Sequence, residues 1–194
     1  MTNMRIIALA SALLLPACAT VSTQFYSLDA IAPTKSERNH ADKKLLIGVT
    51  QITLPTLLER KQIVTRDANG KLLLSEQHQW AALLKQNMTE VIANDFFAVY
   101  PNVWFKAYPW STLGMVDYRI VIDVTQLDIT MGKSIVFSAN WTLLNEKTHA
   151  VIAHDNVVLE HALVEDNYVH VVKAMNQLLM QFAQEVHFSQ KLPF

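Results

Sequence analysis

The chain has 194 residues, 51% hydrophobic and 17% charged, with 16 basic against 17 acidic residues for a formal net charge of −1. That balance gives a nucleic acid no basic footprint to bind, and the apolar fraction is too high for a disordered chain. One cysteine excludes an intramolecular disulfide and four glycines leave few flexible hinges, so the fold must stand on packing.

Taken in chain order, Arg5 supplies a positive n-region, Ile6 to Leu15 form an apolar core, and the small Ala17 precedes Cys18. This is the order of a secretory signal. A membrane-spanning helix needs about 20 apolar residues, so the run is too short to be one. Leu15-Pro16-Ala17-Cys18 resembles the lipobox of bacterial lipoproteins, in which the cysteine thiol takes a diacylglycerol group, the signal is cut before it and the new amine is acylated. The alternative, a core cysteine, fails because a thiol immediately after an h-region has little chain with which to reach a packed interior. Cys18 is therefore the expected lipidation site.

The expected organisation is a signal peptide at 1–17, the lipidated cysteine and a short tether at 18–24, and a single periplasmic domain at 25–194. Removing 1–17, whose one charged residue is Arg5, leaves 177 residues with 15 basic and 17 acidic, a net charge of −2. That length suits one well-cored domain. Ala19 follows the cysteine where inner-membrane lipoproteins commonly carry Asp, so the same resemblance implies the outer membrane. The residues Ala19 to Gln24 reach at most about 20 Å, which keeps the domain near the membrane surface.

Phe25 to Leu28 reads as a strand, and the polar stretch Asp29 to Lys44 as a surface loop. Leu45 to Leu54 is apolar and β-branched, a buried strand ended by Pro55. Gln62 to Arg66 and Lys71 to Ser75 flank Asp67-Ala-Asn-Gly70, a hairpin signal because Asn-Gly accepts positive φ. Trp80, Leu83, Leu84, Met88, Val91, Ile92 and Phe96 follow helical spacing and predict an amphipathic helix over Glu76 to Ala98. Asn102 to Tyr108 reads as a strand and Pro109 to Gly114 as a loop. Asp117 to Thr130, Ser134 to Asn145 and His149 to His161 predict an antiparallel meander. Tyr168, Val171, Val172, Met175, Leu178, Leu179, Phe182 and Val186 place an apolar stripe on a second helix over Val164 to His187. The expected fold class is α+β, a largely antiparallel sheet with two amphipathic helices packed on one face.

No residue constellation carries catalysis. Gly-x-Ser-x-Gly is absent, and so are the common phosphate-binding glycine loops, so no enzyme and no ATPase is expected. His149, His154 and His161, with Asp155 and Glu160 nearby, invite a metal reading, but strand parity sends His154 to the face opposite the other two. No metal and no cofactor beyond the acyl and diacylglycerol groups on Cys18 is expected. Glu165 and Asp166 are read as favourable charges at the positive end of the last helix. Trp104 and Phe105 are expected in the core, whereas Tyr108 and Trp110, which flank Pro109, are left open between core and exposed surface. Met88, Met175 and Met180 are expected to fill gaps between helix and sheet. Arg60 and Arg66, in the segment Leu54 to Arg66, could grip carboxylates of a partner or of the same chain.

The ordered set Cys18, Tyr26-Ser-Leu28, Leu54-Pro55 through Leu58, Arg60, Ile63-Val64, Arg66 and Trp80 resembles the PqiC/YmbA family of ABC-type transport auxiliary lipoproteins, over essentially the whole mature chain. It departs from the family pattern at Leu57, where Tyr is usual, at Lys61, where Pro is frequent, and at Ala82, where an acidic residue often stands. The resemblance implies a non-enzymatic outer-membrane lipoprotein that works with an MCE-domain membrane protein and, through it, an inner-membrane permease in intermembrane lipid transport. It implies docking or self-association through Leu54, Pro55, Leu58, Arg60, Ile63, Val64 and Arg66. Exposed strand edges leave a homo-oligomeric ring open. The rival reading is a stand-alone periplasmic lipid carrier, which would enclose acyl chains in an apolar cavity.

Overall fold

The computed structural model describes residues 22–31, 45–110, 114–188 and 192; Cys18 and most of the polar stretch Asp29 to Lys44 lie outside the described residues. The chain forms β1 (Gln24–Tyr26), β2 (Leu45–Val49), a 3-10 turn (Thr56–Leu58), β3 (Gln62–Arg66), β4 (Leu72–Trp80), α1 (Leu84–Val99), β5 (Val103–Ala107), β6 (Tyr118–Thr130), β7 (Ser134–Asn145), β8 (Val151–Ala162) and α2 (Tyr168–Glu185).

Among the described residues, all eight strands join one mixed sheet. β6, β7 and β8 form the long antiparallel meander the alternating sequence predicts. Along its other edge β6 carries β2 beside Tyr118 to Ile120 and β3 at Thr130, both parallel to it. β5 pairs parallel outside β2, β4 antiparallel outside β3, and β1 parallel outside β4. The antiparallel pairs are the long ones, so the sheet is mostly antiparallel with short parallel additions.

Alternation decides which side of the meander is buried. Ile120, Ile122, Ile135, Phe137, Ala139, Trp141, Leu143 and Leu159 enter the core, while Asp123, Asn140, His154 and Asn156 are exposed. The helices pack on each other, α1 also on β5 and α2 also on β7 and β8. Phe96 of α1 and Phe182 of α2 meet at 6.2 Å between ring centroids, and Phe182 meets Phe137 of β7 at 5.5 Å. Each such side chain is fully buried, a contribution of about 1.5–3 kcal/mol. α2 starts where the side chain of Asn167 accepts the His170 N–H at 2.9 Å, a cap that the acidic pair before it does not provide. Among the described residues no helix is long and apolar enough to cross a membrane.

Two expectations are corrected. Glu76 to Trp80 is not the first turn of a helix but the second half of β4, because Gln24, Phe25 and Tyr26 pair with His78, Gln79 and Trp80. The helix begins only at Leu84. Trp104 is 49% exposed, since β5 is an edge strand on which Val103 points inward and Trp104 outward. Phe105, in contrast, packs against the core as expected. Met88 and Met175 are buried in it, and Met180 is half-buried.

Candidate functional site

The segment Leu54 to Arg66 leaves the edge of β6 and returns to it. Thr53 bridges to Asp123, Pro55 opens the 3-10 turn, and β3 rejoins β6 where Arg66 pairs with Thr130. Pro suits this start, because its φ is fixed near −65° and it has no N–H to satisfy. Leu58 seats in the core below the turn, and Ile63 and Val64 are buried on β3. Leu54, Pro55, Arg60 and Arg66 are half-buried, while Thr56, Glu59 and Lys61 are exposed.

Both arginines have partners within the chain. Arg60 Nε donates to the Leu57 carbonyl at 2.6 Å and so closes the turn. Arg66 Nε lies 2.7 Å from Asp128 Oδ1, and another Arg66 guanidinium nitrogen donates to the Gly70 carbonyl at 3.3 Å. Partial burial works to raise the Asp128 carboxyl, but hydrogen bonds from Gln126 and Arg66 and the Arg66 charge outweigh it and hold the group below the usual carboxylate range. Lys85 Nζ, 3.0 Å from Glu59 Oε1, ties α1 to the same turn. The structure therefore brings the seven residues together as one folded unit, three of them inside the core and four at its surface.

Three features escaped the sequence. Tyr26 and Tyr168 close on His78: the Tyr26 hydroxyl is 2.8 Å from His78 Nδ1, and the His78 and Tyr168 rings stack with centroids 4.0 Å apart. This joins β1, β4 and α2, and residues so distant in sequence give no local signal. Asp95 is fully buried on α1, where Oδ1 accepts the Ile31 N–H at 3.1 Å and Oδ2 has no partner among the described residues. Burial raises its carboxyl to about 7, the Ile31 hydrogen bond pulling the other way. Its place between Ile92 and Phe96 on the apolar stripe was the available clue. Trp110 lies over Gly48 and meets Tyr108 edge-on at 5.5 Å. Tyr108 is 57% exposed and Trp110 half-buried.

The three histidines do not converge. His149 sits in the β7–β8 turn with a φ of 58°, and His154 and His161 lie opposite Thr142 and Ile135 of β7. Glu165 reaches His170 Nε2 at 3.1 Å.

Known proteins share this arrangement of sequence and fold. The chain is 22% identical over 183 residues to the intermembrane transport lipoprotein PqiC of Escherichia coli (strain K12), covering 91% of this chain and 94% of that protein, and matches PqiC of Shigella flexneri to the same extent. Crystal structures of other proteins share its fold. An uncharacterized protein superposes with a TM-score of 0.69 at 18% identity over 84% of this chain and 95% of that one, and protein XCC0632 from Xanthomonas campestris with 0.67 at 15% over 87% and 95%. Residues 26–187 match the family of the ABC-type transport auxiliary lipoprotein component, and the chain belongs to that family.

Proposed function

We propose that the protein is an outer-membrane lipoprotein, anchored through acylated Cys18 and facing the periplasm, that serves as the auxiliary subunit of an MCE/ABC-type intermembrane lipid transport system. It docks the periplasmic conduit formed by an MCE-domain protein, whose inner-membrane permease partner moves the lipid, and so supports envelope integrity. The observation that carries this reading is the family match across nearly the whole folded domain, joined to a lipobox-like cysteine. Its role is non-enzymatic.

Docking uses the folded unit Leu54 to Arg66. Buried Leu58, Ile63 and Val64 hold its shape, and Leu54, Pro55, Arg60 and Arg66 offer the surface a partner meets. The carrier alternative gains no support from the interior gap lined by Met88, Leu127, Phe137, Met175, Leu178 and Leu179, which has no room for a water molecule and still less for an acyl chain.

Complementation tests the reading. In a strain lacking the protein, wild type should restore resistance to detergent and a Cys18→Ala variant should not. Equal restoration by both would sink the anchored-subunit role.

A further inference from the structure

We propose that one end of the domain is a lipid-contact face: the end formed by the β3–β4 hairpin, the β6–β7 turn and the β8–α2 loop rests on the membrane and inserts exposed apolar side chains into its interface. The proposal deepens the lipoprotein reading above and rests on it.

Strand pairing gathers these parts. Arg66, at the end of β3, pairs with Thr130 at the end of β6, so the β3–β4 hairpin and the β6–β7 turn lie together. Leu163 N–H donates to the Lys133 carbonyl at 2.9 Å, which places the β8–α2 loop beside that turn.

The direction of β1 points the anchor at the same end. β4 runs away from the hairpin, and β1 runs parallel to it with Gln24 beside His78, so the chain before Gln24 heads back toward the hairpin. Ser22 is the fourth residue after Cys18, within about 14 Å of it at full extension. β6 alone, with 13 residues, is about 43 Å long. A tether that short holds the hairpin end, and not the far end of β6, at the membrane.

The side chains there suit a lipid interface. Val164, on the β8–α2 loop, is 92% exposed, and Leu73 and Leu74 are exposed at the hairpin end of β4. Each apolar group that such a contact moves out of water contributes about 25 cal/mol per Å². Lys71 and Lys133 are outnumbered by Asp67, Glu165 and Asp166 at this end, so insertion and not cationic attraction drives the contact.

The test uses full-length, lipidated protein in phosphatidylethanolamine and phosphatidylglycerol vesicles, with Cys18 acylated and one new thiol per variant carrying an environment-sensitive fluorophore. Leu73→Cys and Val164→Cys report on the proposed face, and Met115→Cys and Val158→Cys on exposed positions elsewhere. Nitroxide-bearing phospholipids should quench the first two several-fold more than the last two, at any proportion of phosphatidylglycerol. Equal quenching at all four positions, in protein that floats with the vesicles and has the acylated mass, overturns the contact face and leaves the anchor standing. Protein that lacks the acyl mass and does not float overturns the lipoprotein reading and this proposal with it.

Discussion

Arg66 and Asp128, 62 residues apart, meet at 2.7 Å across the junction of β3 and β6. The pair fastens the end of the Leu54 to Arg66 unit to the longest strand, and its side chains are about one-third exposed, so solvent screens it. Arg66→Ala should cost about 1 kcal/mol of stability at neutral pH, measured by urea unfolding. Because pairing holds the Asp128 carboxyl below its unfolded range, this stability is present at neutral pH and disappears as acid protonates the folded carboxylate. The wild-type and Arg66→Ala curves should therefore converge as pH falls through and below the lowered titration of the folded Asp128 carboxyl, and a constant gap would mean that the arginine acts through packing alone.

Asp95 gives the opposite pH dependence. Burial pushes its folded carboxyl up to about 7, above the ordinary carboxylate range, so the folded state binds the proton more tightly than the unfolded one. Its contribution is fully present below the unfolded value and is lost as pH rises toward and through 7. Asp95→Asn, which keeps an acceptor for the Ile31 N–H, should be more stable than wild type at pH 8, on the order of a few kcal/mol at most. The advantage should vanish near the acidic end of that window. Thermal melts of both proteins across the range would show it, and parallel melting curves would refute it.

Gly48 lies on β2 beneath the Trp110 ring, and a Cβ there would stand 3.0 Å from two ring carbons. Gly48→Ala should push the indole off the sheet. The expected result is a red-shifted tryptophan emission with a loss of about 1–3 kcal/mol. Unchanged emission would mean that the ring does not rest there in solution.

Ile63 is fully buried on β3, so Ile63→Ala should cost about 2–5 kcal/mol from lost burial and the cavity left behind. Arg60→Ala, at the half-buried rim, should leave most of the stability intact while weakening partner capture. Calorimetry beside a binding assay separates the two effects. Full partner binding and transport by folded Arg60→Ala and Arg66→Ala proteins would rule out docking through this segment.

What could be read from the residues was whatever depends on near neighbours. The stripe Val171, Met175, Leu178, Leu179 and Phe182 marked α2, and Asn69-Gly70 marked the hairpin, where Gly70 takes a φ of 81° and its N–H bonds the Asp67 carbonyl at 3.0 Å. Glu76 to Trp80 misled because Trp80, Leu83 and Leu84 share helical spacing by coincidence, and pairing with β1 overrides local preference. Trp104 misled because hydrophobicity does not say which strand is at the edge. In the candidate site, the motif order marked the segment, but the partners of its arginines did not show: the Leu57 carbonyl belongs to a turn and Asp128 to a distant strand.

The most direct measurement of the central claim is a crosslinked pull-down of the full-length lipidated protein from membranes, beside a Cys18→Ala control, with partners read by mass spectrometry. An MCE-domain protein should be recovered with wild type and lost with the control. Near-stoichiometric bound lipid with no protein partner would contradict the account and establish a carrier in its place.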